Sequence, residues 1–174
     1  MKQLRLHSIS DNYFDQAWEL YEAAFPPEER RLLEGQIQVM KKSDYHFDIM
    51  IQENEFIGFL LWWDFETVRY VAHFATAAKH RNKGYGQLIL EKFMHQNEKS
   101  VLLEVELPYS TINKRRITFY ERTGFRLNEH YYEVPPLIAD QKPLQLLLMS
   151  YPTVLSAEEV EQFIRTCHPI IFED

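Results

Sequence analysis

Apolar residues along the chain change their period several times, and each change marks an element. Lys2 to Ile9 alternates, with Leu4 and Leu6 on one face, and predicts a first strand. Phe14, Ala17, Trp18, Tyr21, Ala24 and Phe25 then recur at helical spacing, so a helix with one buried stripe follows, with Ser10 or Asp11 able to cap it. Pro26 and Pro27 stop that helix. Pro27 also suits the first turn of a second helix, which carries Leu32, Leu33, Ile37, Val39 and Met40 and breaks at Gly35. Tyr45 to Gln52 and Phe56 to Phe65 predict two strands of a hairpin joined by Glu53, Asn54 and Glu55, and Val68 to Ala77 predicts another strand. Gly84 to Phe93 predicts a helix with Leu88, Ile89 and Phe93 inward. Val101 to Leu107 predicts a short strand, and Asn113 to Thr123 a helix stopped by Gly124 in a left-handed turn. Glu129 to Val134 and Leu144 to Tyr151 predict late strands. Ser156 with Glu159 three residues on forms a capping box for a last helix, whose buried stripe is Val160, Phe163 and Ile164.

The order is therefore β-α-α-β-β-β-α-β-α-β-β-α. A strand, helix and strand in the middle need a parallel pair with a crossover, whereas the flanking hairpins need antiparallel pairs. The expected fold class is α/β with a mixed sheet. At 174 residues the chain is the length of one domain, and 1–174 is expected to form it, with no repeat or linker tract.

Composition narrows the function. Hydrophobic residues are 45% and charged residues 26%, as in ordinary globular proteins, so disorder is excluded. The net charge of -7 disfavours nucleic acid as a partner and suits a cationic amine. Cys167 is the single cysteine, so no internal disulfide or cysteine-built zinc cage is expected, nor any other metal site. Cys167 is expected to be structural. Met1 to Asp15 lacks an apolar core resembling a signal peptide, and the apolar run Ile57 to Trp63 is only seven residues long. That is far short of the ~20 that span a bilayer. The expectation is a cytoplasmic protein with no membrane partner.

The chemistry concentrates in one stretch. A strand runs into Arg81-Asn82-Lys83-Gly84-Tyr85-Gly86 and then into an amphipathic helix. Two glycines let the backbone approach a ligand, and the helix turns its free N–H groups and positive dipole end into the loop, a geometry that binds phosphate. Arg81 and Lys83 add positive charge. A Walker loop does not fit, because Gly-x4-Gly-Lys-Ser/Thr is absent. A dinucleotide fingerprint does not fit either, since Ile89 stands where its third glycine belongs. The bare alternative is a glycine turn with surface charges.

Arg81-x-x-Gly84-x-Gly86 resembles the Arg/Gln-x-x-Gly-x-Gly/Ala motif of the GNAT acyltransferase superfamily. A second stretch, Asn113 to Phe125 with Tyr120-Glu121-Arg122-Thr123-Gly124-Phe125 at its end, resembles the family's Asn-x-x-Ala-x-x-x-Tyr-Glu-Lys-x-Gly-Phe. The two occur in the family's order, separated by a helix and a strand. Arg116 stands where the family has a small residue, and the loop from Val105 to Asn113 is longer than its commonest form.

The resemblance implies an acyl-CoA N-acyltransferase fold. Its sheet is mixed and mostly antiparallel, with one splayed parallel pair and helices on both faces. It implies acetyl-CoA as co-substrate and transfer of the acetyl group to a primary amine, on a small molecule or a peptide. Cofactor contacts map to Phe74, Ala75 and Thr76, to Arg81, Asn82, Lys83, Gly84, Tyr85, Gly86 and Gln87, and to Asn113, Arg116, Phe119 and Tyr120. The oxyanion donor comes, in the family, from a strand bulge that maps near Phe74 to Thr76. Asn113 either bonds the pantetheine or caps its own helix. The resemblance also leaves homodimerisation open.

An alkyl amine has a pKa of about 10.4, so a proton must leave before attack. The departing thiolate, with a pKa of about 8.5, is matched by a tyrosine near 10 as donor. The resemblance makes Tyr120 that acid and Glu104, in Leu103-Glu104-Val105, the base. Glu106, His73 and a water relay are the alternatives. Glu28 and Glu29 lie where the family builds its acceptor site, and are also ordinary charges of a helix first turn. Trp62, Trp63, Phe65, Tyr70, Tyr131 and Tyr132 are candidate aromatic neighbours of the cleft. Transfer of a longer acyl group, or an acyl-CoA sensor without turnover, are competing functions.

Overall fold

A computed structural model describes residues 1–172. Its strands are β1 (Lys2–Leu6), β2 (Tyr45–Gln52), β3 (Glu55–Asp64), β4 (Val68–Thr76), β5 (Ser100–Val105), β6 (Arg126–Leu127), β7 (Tyr132–Val134) and β8 (Leu144–Tyr151). They lie in the order β1-β2-β3-β4-β5-β8-β6, and β7 also pairs with β8. Every pair is antiparallel except β4 with β5, the pair joined through a helix. The expected mixed sheet with one parallel pair is thus present.

Helices cover both faces. On one, α1 (Phe14–Ala24), α2 (Leu33–Val39) and α5 (Ala157–Ile171) pack with Phe47, Phe59, Trp63 and Tyr132 into one core. On the other, α3 (Tyr85–Met94) and α4 (Thr111–Arg122) pack with Leu60, Trp62, Val71 and Leu103. A sheet covered twice has no polar face, which is why every residue from Phe56 to Trp63 is buried. Asp48 is buried in this sheet because Trp62 Nε1 and Gln3 Nε2 each donate to it at 2.7 Å. Among the described residues no helix is long and apolar enough to cross a membrane.

The local chemistry explains most boundaries. Glu53 and Asn54 both have positive φ, and Gln52 pairs with Glu55, so this is a two-residue hairpin turn. Gly124 ends α4 at φ 108, and Ser156 with Glu159 forms the capping box of α5. Some expectations fail. Neither Ser10 nor Asp11 caps α1: its N-cap is Tyr13 at φ 72, and Asp11 accepts instead from the amides of His7 and Ser8. The second helix does not begin at Pro27 and does not break at Gly35. Pro27–Glu29 is a separate 3₁₀ turn, Arg30 is extended, and α2 runs through Gly35. The glycine's missing Cβ would meet only the Arg31 Cβ at 3.9 Å, so nothing there forces a break. Of the late strand expected from Glu129 to Val134 only Tyr132–Val134, β7, forms; the two-residue β6 precedes that range, and the two pair with different stretches of β8.

Candidate active site

The cleft begins where the parallel pair ends. The last β4–β5 register pair is Val71 with Leu103. On the β3 side of β4, Leu61 pairs with His73 but Trp62 with Val71, so Ala72 is a bulge. A bulge breaks the alternation of side chains and bends its strand. Ala72 and His73 accordingly both turn toward α1, Ala72 against that core and His73 between the rings of Tyr21 and Phe25. Beyond this point β4 follows β3 and β5 follows β8. A cleft of about 790 Å³ opens between them, and Phe74, Ala75, Thr76, Glu104, Glu106 and Tyr120 all line it. The bulge lies at Ala72, two residues before the Phe74 to Thr76 stretch assigned to it from the sequence.

One end of the cleft is the glycine loop. Asn82 has φ 60, and Gly84, the N-cap of α3, has φ 80. A Cβ on Gly84 would meet nothing within 4 Å, so glycine serves the left-handed backbone there. Gly86 serves a different end: its Cβ would stand 3.2 Å from the Phe119 ring and 3.6 Å from that of Phe74, so its absence lets α3 close on α4. No side chain caps α3, which leaves the amides of its first turn without intrahelical acceptors. Arg81, Asn82, Gly84, Tyr85, Gly86 and Gln87 line the cleft, as do Arg116 and Phe119. Lys83 and Asn113 do not line it. Asn113 is not a cap either: Ser110 is the N-cap of α4, accepting from the Asn113 amide, while the Asn113 side chain donates to the Leu107 carbonyl at 3.0 Å.

Glu104 sits deeper, on β5. Its carboxylate accepts from the Tyr70 hydroxyl at 2.7 Å and from the Tyr132 hydroxyl at 2.5 Å, and the Tyr132 oxygen lies 2.7 Å from His168 Nε2. Burial pushes the Glu104 carboxyl up to about 7 against the pull of these two phenol hydrogen bonds. Burial and the neighbouring Glu104 hold both phenols well above 10. Burial lowers His168 to about 4, so it is neutral at physiological pH. With the Tyr132 proton given to Glu104, His168 Nε2–H is the donor to the Tyr132 oxygen. Tyr70 and Tyr132 were expected beside the cleft; both stand behind Glu104 rather than in the lining. Trp62 and Trp63 are buried in the two cores, and Tyr131 is exposed. His168 carried no sequence signal, being one histidine on a buried helical stripe.

The remaining candidates separate by environment. Burial pushes His73 down to about 3, and its Nε2 is spent on the Glu29 carbonyl at 2.7 Å. A ring so held is a poor base and a good anchor for the Pro27–Glu29 turn. Glu106 pairs with Arg116 at 3.0 Å, so the large residue in the second motif reaches back to the end of β5. Glu29 is pushed up to about 7, chiefly by burial and then by Glu106, with Glu28 and Glu104 adding and Arg116 opposing. Tyr120 is 8% exposed and its hydroxyl has no hydrogen-bond partner among the described residues. Burial holds it up to about 12, so it keeps a proton to donate at neutral pH. Cys167 is buried within α5 and does not line the cleft, and its thiol is raised by burial. Among the described residues no group of three or more His, Cys, Asp or Glu side chains is placed to hold a metal ion.

Residues 43–127 match the family model described as an acetyltransferase (GNAT) domain. A solved structure from Bacteroides thetaiotaomicron assigned to the GNAT acetyltransferase family is 32% identical, with a TM-score of 0.92 over 100% of this chain and 99% of that one. More distant structures share the fold. An aminoglycoside 6'-N-acetyltransferase complexed with coenzyme A is 14% identical (TM-score 0.61, 86% of this chain, 96% of that one). The ribosomal-protein-S18-alanine N-acetyltransferase from Escherichia coli is 16% identical (TM-score 0.60, 90% of this chain, 96% of that one). No curated protein matches. A sheet parted at β4 and β5, a glycine loop capping α3 and a near-full-length relative at this identity lead to one assignment: the chain belongs to the GNAT family of acetyltransferases.

Proposed function

We propose that the chain transfers the acetyl group of acetyl-CoA to a primary amine by direct attack within a ternary complex. The observation that carries this is a single cleft holding a carboxylate with a pKa near neutrality, Glu104, and a protonated tyrosine hydroxyl without a partner, Tyr120. The amine nitrogen attacks the thioester carbonyl carbon and the carbon–sulfur bond breaks. Glu104 takes the proton that the amine sheds, directly or through one water, and Tyr120 gives its proton to the departing thiolate. Glu104 near 7 is half ionised at neutral pH, which suits a base that must also release its proton. The first-turn amides of α3 and the Arg81 guanidinium fit a pyrophosphate at the glycine loop, where Gly84 leaves open space beside the helix start. Backbone N–H groups beside the Ala72 bulge fit the developing oxyanion.

Calorimetric titration with acetyl-CoA and with desulfo-CoA tests the cofactor half of this reading, and amine-dependent thiol release tests the transfer. Micromolar binding, weakened about 10- to 100-fold by Arg81→Glu through loss of a charged contact, is the expected result. No binding of any CoA ester would sink the proposal. Binding with no release of thiol to any amine would leave an acyl-CoA sensor instead.

A further inference from the structure

The end of the cleft away from the glycine loop carries more negative charge than acyl transfer needs. Glu28, Glu29, Glu104 and Glu106 all line it. One carboxylate suffices as base, and Arg116 pairs with Glu106. Neither Glu28 nor Glu29 forms an ion pair or side-chain hydrogen bond among the described residues. An unpaired carboxylate at a half-buried position is held there at a cost, and a cation removes that cost. Tyr120 is 8% exposed and lines the same cleft, and its hydroxyl has no hydrogen-bond partner among the described residues, so it is left free for a ligand.

Glu29 is also a built position. The turn that carries it is fastened twice: His73 Nε2 donates to its carbonyl, and the Arg31 amide donates to the Tyr21 hydroxyl at 2.8 Å. The cleft also has apolar walls from Ala24 on α1 and Phe25 just after it, Val134 and Leu146 on β7 and β8, and Phe172 after α5. Such walls suit a hydrocarbon stem, and carboxylates suit its charged ends.

Resting on the acyl-transfer reading, we infer that the acceptor is an alkyl diamine or polyamine, with one ammonium held by Glu29 while Glu104 takes the proton from the nitrogen that attacks. A monoamine leaves Glu29 uncompensated. An amino acid brings a carboxylate among four others and is repelled. Like charge also raises the Glu29 carboxyl, and a bound ammonium would favour its ionised form.

The test uses the full chain with saturating acetyl-CoA and compares 1,4-diaminobutane, butylamine and 4-aminobutanoate by thiol release. The diamine is expected to exceed butylamine in kcat/KM by about ten-fold, with 4-aminobutanoate weakest and the preference shrinking in high salt. In Glu29→Gln the ratio of diamine to butylamine should fall toward one. Because the ratio is taken within a single protein preparation, a partly unfolded variant does not distort it. Equal turnover of butylamine or 4-aminobutanoate, or a ratio unchanged in Glu29→Gln, overturns the inference while leaving acyl transfer intact. Failure to bind acetyl-CoA by calorimetry removes both.

Discussion

The two ends of the cleft are built in opposite ways. The glycine-loop end comes largely from one continuous stretch, the end of β4, the loop and the first turn of α3, closed by Phe119 from α4. Its requirements are local: a left-handed Gly84, an uncapped helix start, a Gly86 without a side chain. The opposite end gathers residues 23–29, Glu104 and Glu106, 134–137 and Phe172, which meet only when the whole sheet is assembled. A site made of neighbours in sequence leaves a motif with fixed spacing. A site made of distant residues leaves none, and its chemistry is set by burial and by which charges meet.

If the two ends are separable, variants should split binding from transfer. The largest effect is expected for Glu104→Gln, which should lower kcat/KM for amine acetylation by about 10²- to 10⁴-fold while acetyl-CoA titration stays close to that of the unaltered protein. Loss of acetyl-CoA binding in this variant would break the division between the ends.

A smaller effect is expected from the groups behind Glu104. The pH profile of kcat/KM should rise through about 7 as Glu104 ionises. Tyr132→Phe removes a hydrogen bond that favours the ionised carboxylate, so its rising limb should move to higher pH. A merely structural role for Tyr132 would lower the rate without moving the limb. The same carboxyl acts oppositely on stability. Glu104 and Glu29 are raised from 4.5 to about 7, so the folded chain binds more protons than the unfolded one across that window. Stability should therefore fall as pH rises from 4.5 to 7, and Glu104→Gln should flatten part of that fall in denaturant melts. The smallest effect is expected outside the cleft. Ser156→Ala breaks the capping box of α5 and should cost about 1 kcal/mol of stability, with kcat/KM unchanged.

Much of the fold was legible in the pattern of apolar residues. Tyr45 to Gln52, Phe56 to Phe65 and Leu144 to Tyr151 match strands nearly residue for residue, because apolar β-rich runs bounded by turn residues have few alternatives. The Pro27–Glu29 turn did not follow, since helix rules place proline at a first turn but do not say how long the helix lasts. The Tyr21 and His73 anchors that hold that turn come from elsewhere in the chain. For Asn113, the cap and the ligand contact were both locally plausible, and the Leu107 carbonyl took its side chain instead.

Local sequence determined the elements and the glycine loop, because φ preferences, capping and spacing act over a few residues, and the family resemblance of its motifs supplied Tyr120 and Glu104 as candidates. Only the tertiary structure decided that β4 bulges at Ala72, and that Tyr70 and Tyr132 both donate to Glu104, with His168 behind Tyr132. Likewise, it alone decided that Glu29 faces Glu106 and Glu104 across one cavity. Those outcomes depend on strand pairing and on desolvation by distant residues, and neither is encoded at the position that feels it.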